Sequence, residues 1–238
     1  GWNILGSFSG MMREQGLNVI LNLFFGPAVN AARGVAYQVA SGLQGFVANA
    51  GVAVRPQIIQ SYAQNNELRT INLMLSLSKV GILALFILSY PIILEINFVL
   101  NLWLGNEVPE HTASFIILVV LISYVNNMNS AVSAVVHATG QMKKYQTITS
   151  LITILSLPVA YYILDMGCEP ESVFWVSLLF TILMQIASLF ILKNLVDFSL
   201  KKYVVKVLLP TILVVAISAP LPFYIHYIMP EGWGRFLF

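Results

Sequence analysis

Three arginines, a glutamate and a set of amides stand within stretches of otherwise apolar sequence: Arg13, Arg33, Arg55, Glu14, Asn18, Asn30, Gln38, Gln44, Asn49 and Asn126. Guanidinium groups bind phosphate through paired N–H donors, and amides suit hydroxyl-rich sugars. Together these side chains would line a cavity for an anionic, sugar-bearing head group. A second reading stays open for Arg33 and Arg55, in which each snorkels from a helix end to phospholipid head groups. For Arg13 and Glu14 the alternative is a local pair bridging to a neighbouring helix.

The other reactive residue types are scattered. His111, His137 and His226 are isolated and read as interfacial hydrogen-bonders. Cys168 is the only cysteine, which excludes an internal disulfide and a cysteine-cluster metal site. The chain contains no phosphate-binding loop, nucleophile elbow, His-Glu zinc motif or usefully spaced carboxylate pair. No catalytic residue, metal or cofactor is expected, and the chain reads as a non-enzyme.

The elements that must position these residues follow from composition. Hydrophobic residues make up 58% of the 238 and charged residues only 9%, against about 25% in soluble domains. Mean hydropathy is +0.82, and several runs of about 20 residues are almost free of charge. The fold class expected is an all-α, polytopic transmembrane helix bundle. A net charge of +2, spread over separate loops, argues against nucleic acid as a partner.

The first helix is expected over 2–25, ended by Gly26-Pro27, with Asn3, Ser7, Gly10, Glu14 and Asn18 on one polar stripe. Arg13 is rotated from Glu14 by a full 100°, yet a lipid-facing charge is costly, so both are expected to point into the bundle. The second, over 28–63, places Asn30, Arg33, Tyr37, Ser41, Gln44 and Arg55 on one side and Val35, Val39, Leu43, Phe46, Ala50 and Val54 on the other. Gly34, Gln38, Gly42, Gly45 and Asn49 form a small-residue strip beside the polar face, where another helix could approach. Pro56 is expected to kink it.

Further spans are expected over 72–94, interrupted by Pro91, and over 113–138, 146–164, 173–192 and 207–228. The run 97–105 is too short to span and reads as an interfacial helix with Trp103 at head-group depth. The 113–138 helix carries a second polar patch, Asn126, Asn127, Asn129, Ser130 and Ser133. The 173–192 helix, apolar apart from Gln185, reads as lipid-facing. Pro210, Pro220 and Pro222 should make the last span irregular.

Nine of the 12 basic residues, among them Arg55, Lys143, Lys144 and Lys201, fall in alternate loops and their flanks, and the intervening loops are acidic. By the positive-inside rule the basic loops are cytoplasmic, and strict alternation gives seven crossings. The start lacks the basic region and cleavage site of a signal peptide. The chain reads as part of something longer, and 232–238 looks like the opening of another apolar helix.

Four segments also resemble a known family. NAARGVAYQV (30–39), RPQIIQSYA (55–63), the Leu102-Trp103-Leu104 turn before Val108-Pro109-Glu110, and HATGQMKKYQ (137–146) resemble bacterial polysaccharide biosynthesis proteins. These are the O-antigen and oligosaccharide flippases of the multidrug/oligosaccharidyl-lipid/polysaccharide exporter superfamily, whose two six-helix lobes face each other across a central cavity. The resemblance implies that 1–198 is the second lobe of such a MATE-like exporter and 199–238 an additional helix with the start of a further one. The partners it implies are a lipid-linked oligosaccharide, membrane lipid and the missing N-terminal lobe. It implies a multi-pass protein of the bacterial inner membrane, in which Arg13, Glu14, Asn18, Arg33, Gln38 and Gln44 lie on the cavity. The function expected is transfer of a lipid-linked oligosaccharide from the cytoplasmic to the periplasmic leaflet by alternating access. The alternatives are a drug exporter coupled to H+ or Na+ at Glu14, and a non-transporting scaffold for glycan-assembly enzymes.

Overall fold

The computed structural model describes residues 2–105, 107–229, 232 and 235, the side chain of Ala50 excepted. The readings made for the Ala50 side chain and most of 232–238 lie outside the described residues. Those described form α1 (Trp2–Ala63), α2 (Glu67–Leu94), α3 (Ile96–Leu104), α4 (Thr112–Thr139), α5 (Met142–Asp165) and α6 (Glu171–Lys193). Next come α7 (Leu200–Tyr203), a π-helical turn (Val204–Leu208), α8 (Leu209–Ser218) and α9 (Pro220–Ile228). Six of the helical stretches are long and apolar enough to cross a membrane, the last being Leu200–Ile228. The chain is an all-helical, multi-pass membrane protein.

α1 is a hairpin. Gly26 has φ 79° and ψ −173°, a left-handed conformation that costs glycine least and breaks the helix before Pro27. The Arg33 guanidinium donates to the carbonyl of Glu14 at 2.9 Å. In a straight helix those residues would stand about 28 Å apart, so the chain must double back between them. Contacts give the direction of each arm. Ser9 meets Ser150 at 3.0 Å and Phe24 packs edge-on against Tyr161, so arm 2–25 runs parallel to α5. Gln44 meets Ser123 and Arg55 meets Ser130, each at 2.6 Å, so arm 27–63 runs parallel to α4.

The connections collect at two ends. Lys143 lies 5.6 Å from the centre of the Trp2 ring, and the Asp197 amide reaches the Glu67 carboxylate at 3.5 Å, which brings the basic connections to one end. At the other, His111 bonds Glu171 and His226 bonds Glu95, each at 2.6 Å. These contacts follow the alternation that the charge pattern predicts.

Several expectations need correction. The buried face of arm 27–63 is formed by Ala32, Ala36, Ala40 and Val47 together with the expected Leu43, while Phe46 is 72% exposed. Alanine lets the arm lie close against the bundle, and a phenylalanine there would hold it off. Pro91 lies inside α2, which runs on to Leu94 without interruption. α5 begins at Met142, earlier than expected, because Gly140 at φ 71° closes α4 and the lysines that follow are good helix formers.

α6 is half inside. Ser177, Thr181, Gln185 and Ser188 are buried at helical spacing, with Trp175, Leu179, Ile182 and Ile186 on the outer face. In the last span, Pro210 has no N–H to donate to the carbonyl of Lys206, and the ladder slips to π spacing over Val204–Leu208.

The core has two parts. Towards the acidic end, Leu17, Leu21, Ala36, Phe115, Val119 and Phe174 close the bundle; towards the basic end, Ile58, Met74, Val132, Leu192 and Tyr203 pack around α4.

Candidate functional site

α4 carries a ridge of polar side chains from its middle to its basic end: Ser123, Asn126, Asn127, Ser130, Ser133 and His137. Three hollows adjoin this ridge. One of about 280 Å³ lies against arm 27–63 and is lined by Gln44, Gly45, Arg55, Ser123, Asn126, Asn127 and Ser130. A second, of about 510 Å³, lies against arm 2–25 and α5, with Asn3, Ser7, Arg13, Asn126, His137, Gln146 and Thr149 in its wall. The third, of about 290 Å³, holds Arg55, Ser130, Ser133 and His137. Asn126 borders the first two, Arg55 and Ser130 the first and third, Ser133 and His137 the second and third. The hollows therefore adjoin along α4 and together make a cleft of mixed polar and apolar lining, most polar in the second hollow.

Its extent follows from helix geometry. Ser123 sits near the middle of α4 and His137 two residues before its end, so the cleft runs over about 21 Å of helix from mid-bundle to the basic end. Beyond Ser123 the lining changes to Val119, Phe115, Leu21 and Ala36, and the cleft stops there.

Two guanidinium groups reach it. Arg13 is half-buried and donates to the Thr181 hydroxyl at 3.3 Å, which ties arm 2–25 to α6 across the cleft wall. Arg55 is exposed and donates to Ser130. Each spends one N–H on a hydroxyl, and a guanidinium has five, so both retain donors for an anion. Gln44 and Asn126 supply the amides. Gly81 of α2 makes room for the ridge, because a Cβ there would stand 2.1 Å from the Asn127 side-chain oxygen.

The remaining predicted residues do not join this cleft. Arg33 is 8% exposed, with its guanidinium bonded to the Glu14 carbonyl and lying 4.6 Å from the centre of the Tyr37 ring. It neither snorkels nor lines the cleft; it pins the two arms of α1. Glu14 itself is exposed and lines none of the three hollows. The 100° offset explains this: turning Arg13 towards α6 turns its neighbour out. Asn18 and Asn30 are half-buried and line none of the three hollows, and the Asn30 side-chain oxygen has no partner. Gln38 and Asn49 lie exposed on the outer face of arm 27–63. On that face added Cβ atoms at Gly34 and Gly42 would meet open space, so this part of the small-residue strip is uncovered in this chain, while Gly45 borders the first hollow.

Other cleft residues were missed. Gln146, Thr149, Ser150 and Thr153 form the α5 wall, and their spacing of three and four residues is a polar stripe visible in the sequence. His137 belongs to the cleft and not to an isolated surface.

Deeper polar groups are consumed internally. Asn129 donates to Ser188 at 2.8 Å and accepts from Tyr145 at 2.9 Å, while Tyr203 bridges Ser78 and Gln185 at 3.5 and 3.4 Å. These fix α2, α4, α5, α6 and α7, and Asn129 and Tyr145 also border the second hollow. Among the described residues no group of three or more histidine, cysteine or acidic side chains is placed to hold a metal. Comparison of the chain with protein-family models, curated proteins and solved structures finds no match.

Proposed function

We propose that this chain is one lobe of a bacterial inner-membrane flippase that moves a lipid-linked oligosaccharide from the cytoplasmic to the periplasmic leaflet. The observation that carries the reading is the cleft, open at the basic end and stopped at mid-bundle by apolar packing. An arginine facing acyl chains at mid-membrane costs about 2.5–3.5 kcal/mol on insertion scales, so a cleft with two of them is suited to water and a hydrated, anionic head group. By the positive-inside rule its mouth is cytoplasmic. The likeness of 30–39, 55–63, 102–110 and 137–146 to the polysaccharide exporters supports the same reading.

In this account each arm of α1 crosses once, which with the other spans makes seven passages. The diphosphate of the head group sits against Arg13 and Arg55, its sugars meet Gln44, Asn126 and the hydroxyls of α5, and the lipid tail stays in the bilayer. The uncovered strip of Gly34, Gln38, Gly42 and Asn49 faces the other lobe of a MATE-like pair. Rocking of the lobes exchanges access, as in other repeat-built transporters, and no covalent bond changes. A drug exporter coupled through Glu14 fits less well, since that carboxylate lies outside the cleft.

The test is replacement of Arg13 and Arg55 together by alanine in the full-length protein, in cells lacking the native copy. Surface polysaccharide should be lost at unchanged protein level, with the lipid-linked intermediate accumulating on the cytoplasmic face. Normal polysaccharide would remove both arginines from the mechanism. Drug sensitivity without loss of glycan would favour the exporter, and loss of glycan without accumulation would favour the scaffold.

A further inference from the structure

A second basic feature lies outside the cleft, where α5 begins. Lys143 and Lys144 occupy its first turn, which contains no acidic residue, and Gln141 makes no side-chain cap. Cations are misplaced there, because the unpaired N–H groups and the helix dipole at an N-terminus favour negative charge. Neither lysine is in an ion pair among the described residues. The start of α5 thus concentrates positive charge that nothing described in the chain neutralises.

This charge borders a groove of about 680 Å³ between the start of α5 and the end of α6. Lys143, Lys144 and Thr147 form one wall, and Ile148, Ile191 and Leu195 form an apolar floor. The Lys143 ammonium lies 5.6 Å from the centre of the Trp2 ring, a pairing suited to head-group depth. Away from the loop, the α5 surface continues as Leu151 and Leu155, 58% and 46% exposed, one and two turns beyond Thr147. A polar anion at the rim with an apolar track leading into the bilayer has the layout of a phospholipid.

We infer that this groove binds an anionic phospholipid of the leaflet at the basic end. Its phosphate lies between Lys143, Lys144 and the first N–H groups of α5, and an acyl chain covers Ile148, Ile191 and Leu195 before running along Leu151 and Leu155. The inference needs only that the chain spans a membrane and is independent of what the cleft transports. Free inorganic phosphate would satisfy the lysines but leave the apolar floor open to water.

The test is native mass spectrometry of the detergent-solubilised protein titrated with phosphatidylglycerol, phosphatidylcholine or inorganic phosphate. Phosphatidylglycerol should be retained in preference to phosphatidylcholine, and millimolar phosphate should not displace it. At about 1 kcal/mol for each basic residue near the head groups, the double variant K143Q/K144Q should weaken retention about thirtyfold. K143R/K144R should restore it, and K201Q/K202Q, which removes an equal charge elsewhere at the same end, should change it little. Equal retention of the two lipids, displacement by phosphate, or undiminished binding by K143Q/K144Q would each overturn the assignment. So would an equal loss in K201Q/K202Q, which would mark a general effect of net charge.

Discussion

Arg33 and Arg55 stand on the same helical arm, and the bundle uses them in opposite ways. Arg33 lies among alanines on the side where the core closes; one N–H bonds a backbone carbonyl, the guanidinium lies against an aromatic face, and its buried Nε has no partner. Arg55 lies beside Ser130 with hollows on either side, and most of its donors are uncommitted. A guanidinium at bilayer depth must be satisfied by protein or by water, and its neighbours decide which. At the closed end it is absorbed into the fold. At the open end it remains available to a ligand.

The comparison breaks if the two arginines contribute alike to stability. Arg33→Ala removes a charged hydrogen bond and a ring contact from a buried position between the two arms. A loss of about 2–3 kcal/mol is expected in denaturant unfolding of the solubilised protein. Arg55→Ala removes an exposed side chain and should stay within about 0.5 kcal/mol. Equal losses would mean that the cleft arginine is structural as well.

A smaller effect sharpens the contrast from the acidic end, where charge is again internally paired. The Glu95 carboxylate, 4% exposed, accepts from both His226 and Arg235 and so ties the end of α9 to the junction of α2 and α3. Burial alone would raise its pKa, but the hydrogen bonds and positive charge of Arg235 and His226 outweigh that and hold it below the ordinary carboxylate value. A depressed carboxylate contributes stability above its unfolded pKa, and that contribution fades as pH falls through the folded value. The distance between spin labels at Asn101 and Tyr227 should be constant at neutral pH and broaden in acid below the usual carboxylate range. Glu95→Gln should give the broadened distribution at every pH. A distance that ignores both pH and substitution would show that other contacts hold α9.

Much of the architecture was legible from periodicity and length. The break at Gly26, the short α3 and the limits of α4 follow from apolar runs, glycine and proline. The polar patch of α4 was also legible, because Asn126, Asn127 and Ser130 stand out among valines and alanines. The inner stripe of α6 was present as Ser177, Thr181, Gln185 and Ser188 but hidden, since serine and threonine can bond back to their own helix and pass for lipid-compatible residues. The two arginines of arm 27–63 could not be told apart. Their roles depend on what α4 and arm 2–25 bring beside them, and that is set by the register of neighbouring helices.

The central claim is that water fills the cleft from the basic end to mid-bundle. With the exposed Cys168 replaced by serine, single cysteines at Ser133 in the cleft and at Ser177 in the sealed interior can be treated with a membrane-impermeant thiol reagent from the cytoplasmic side. The account predicts rapid labelling of Ser133→Cys and none of Ser177→Cys. Protection of both, with Ser133→Cys reached only by a reagent that partitions into hydrocarbon, would contradict it.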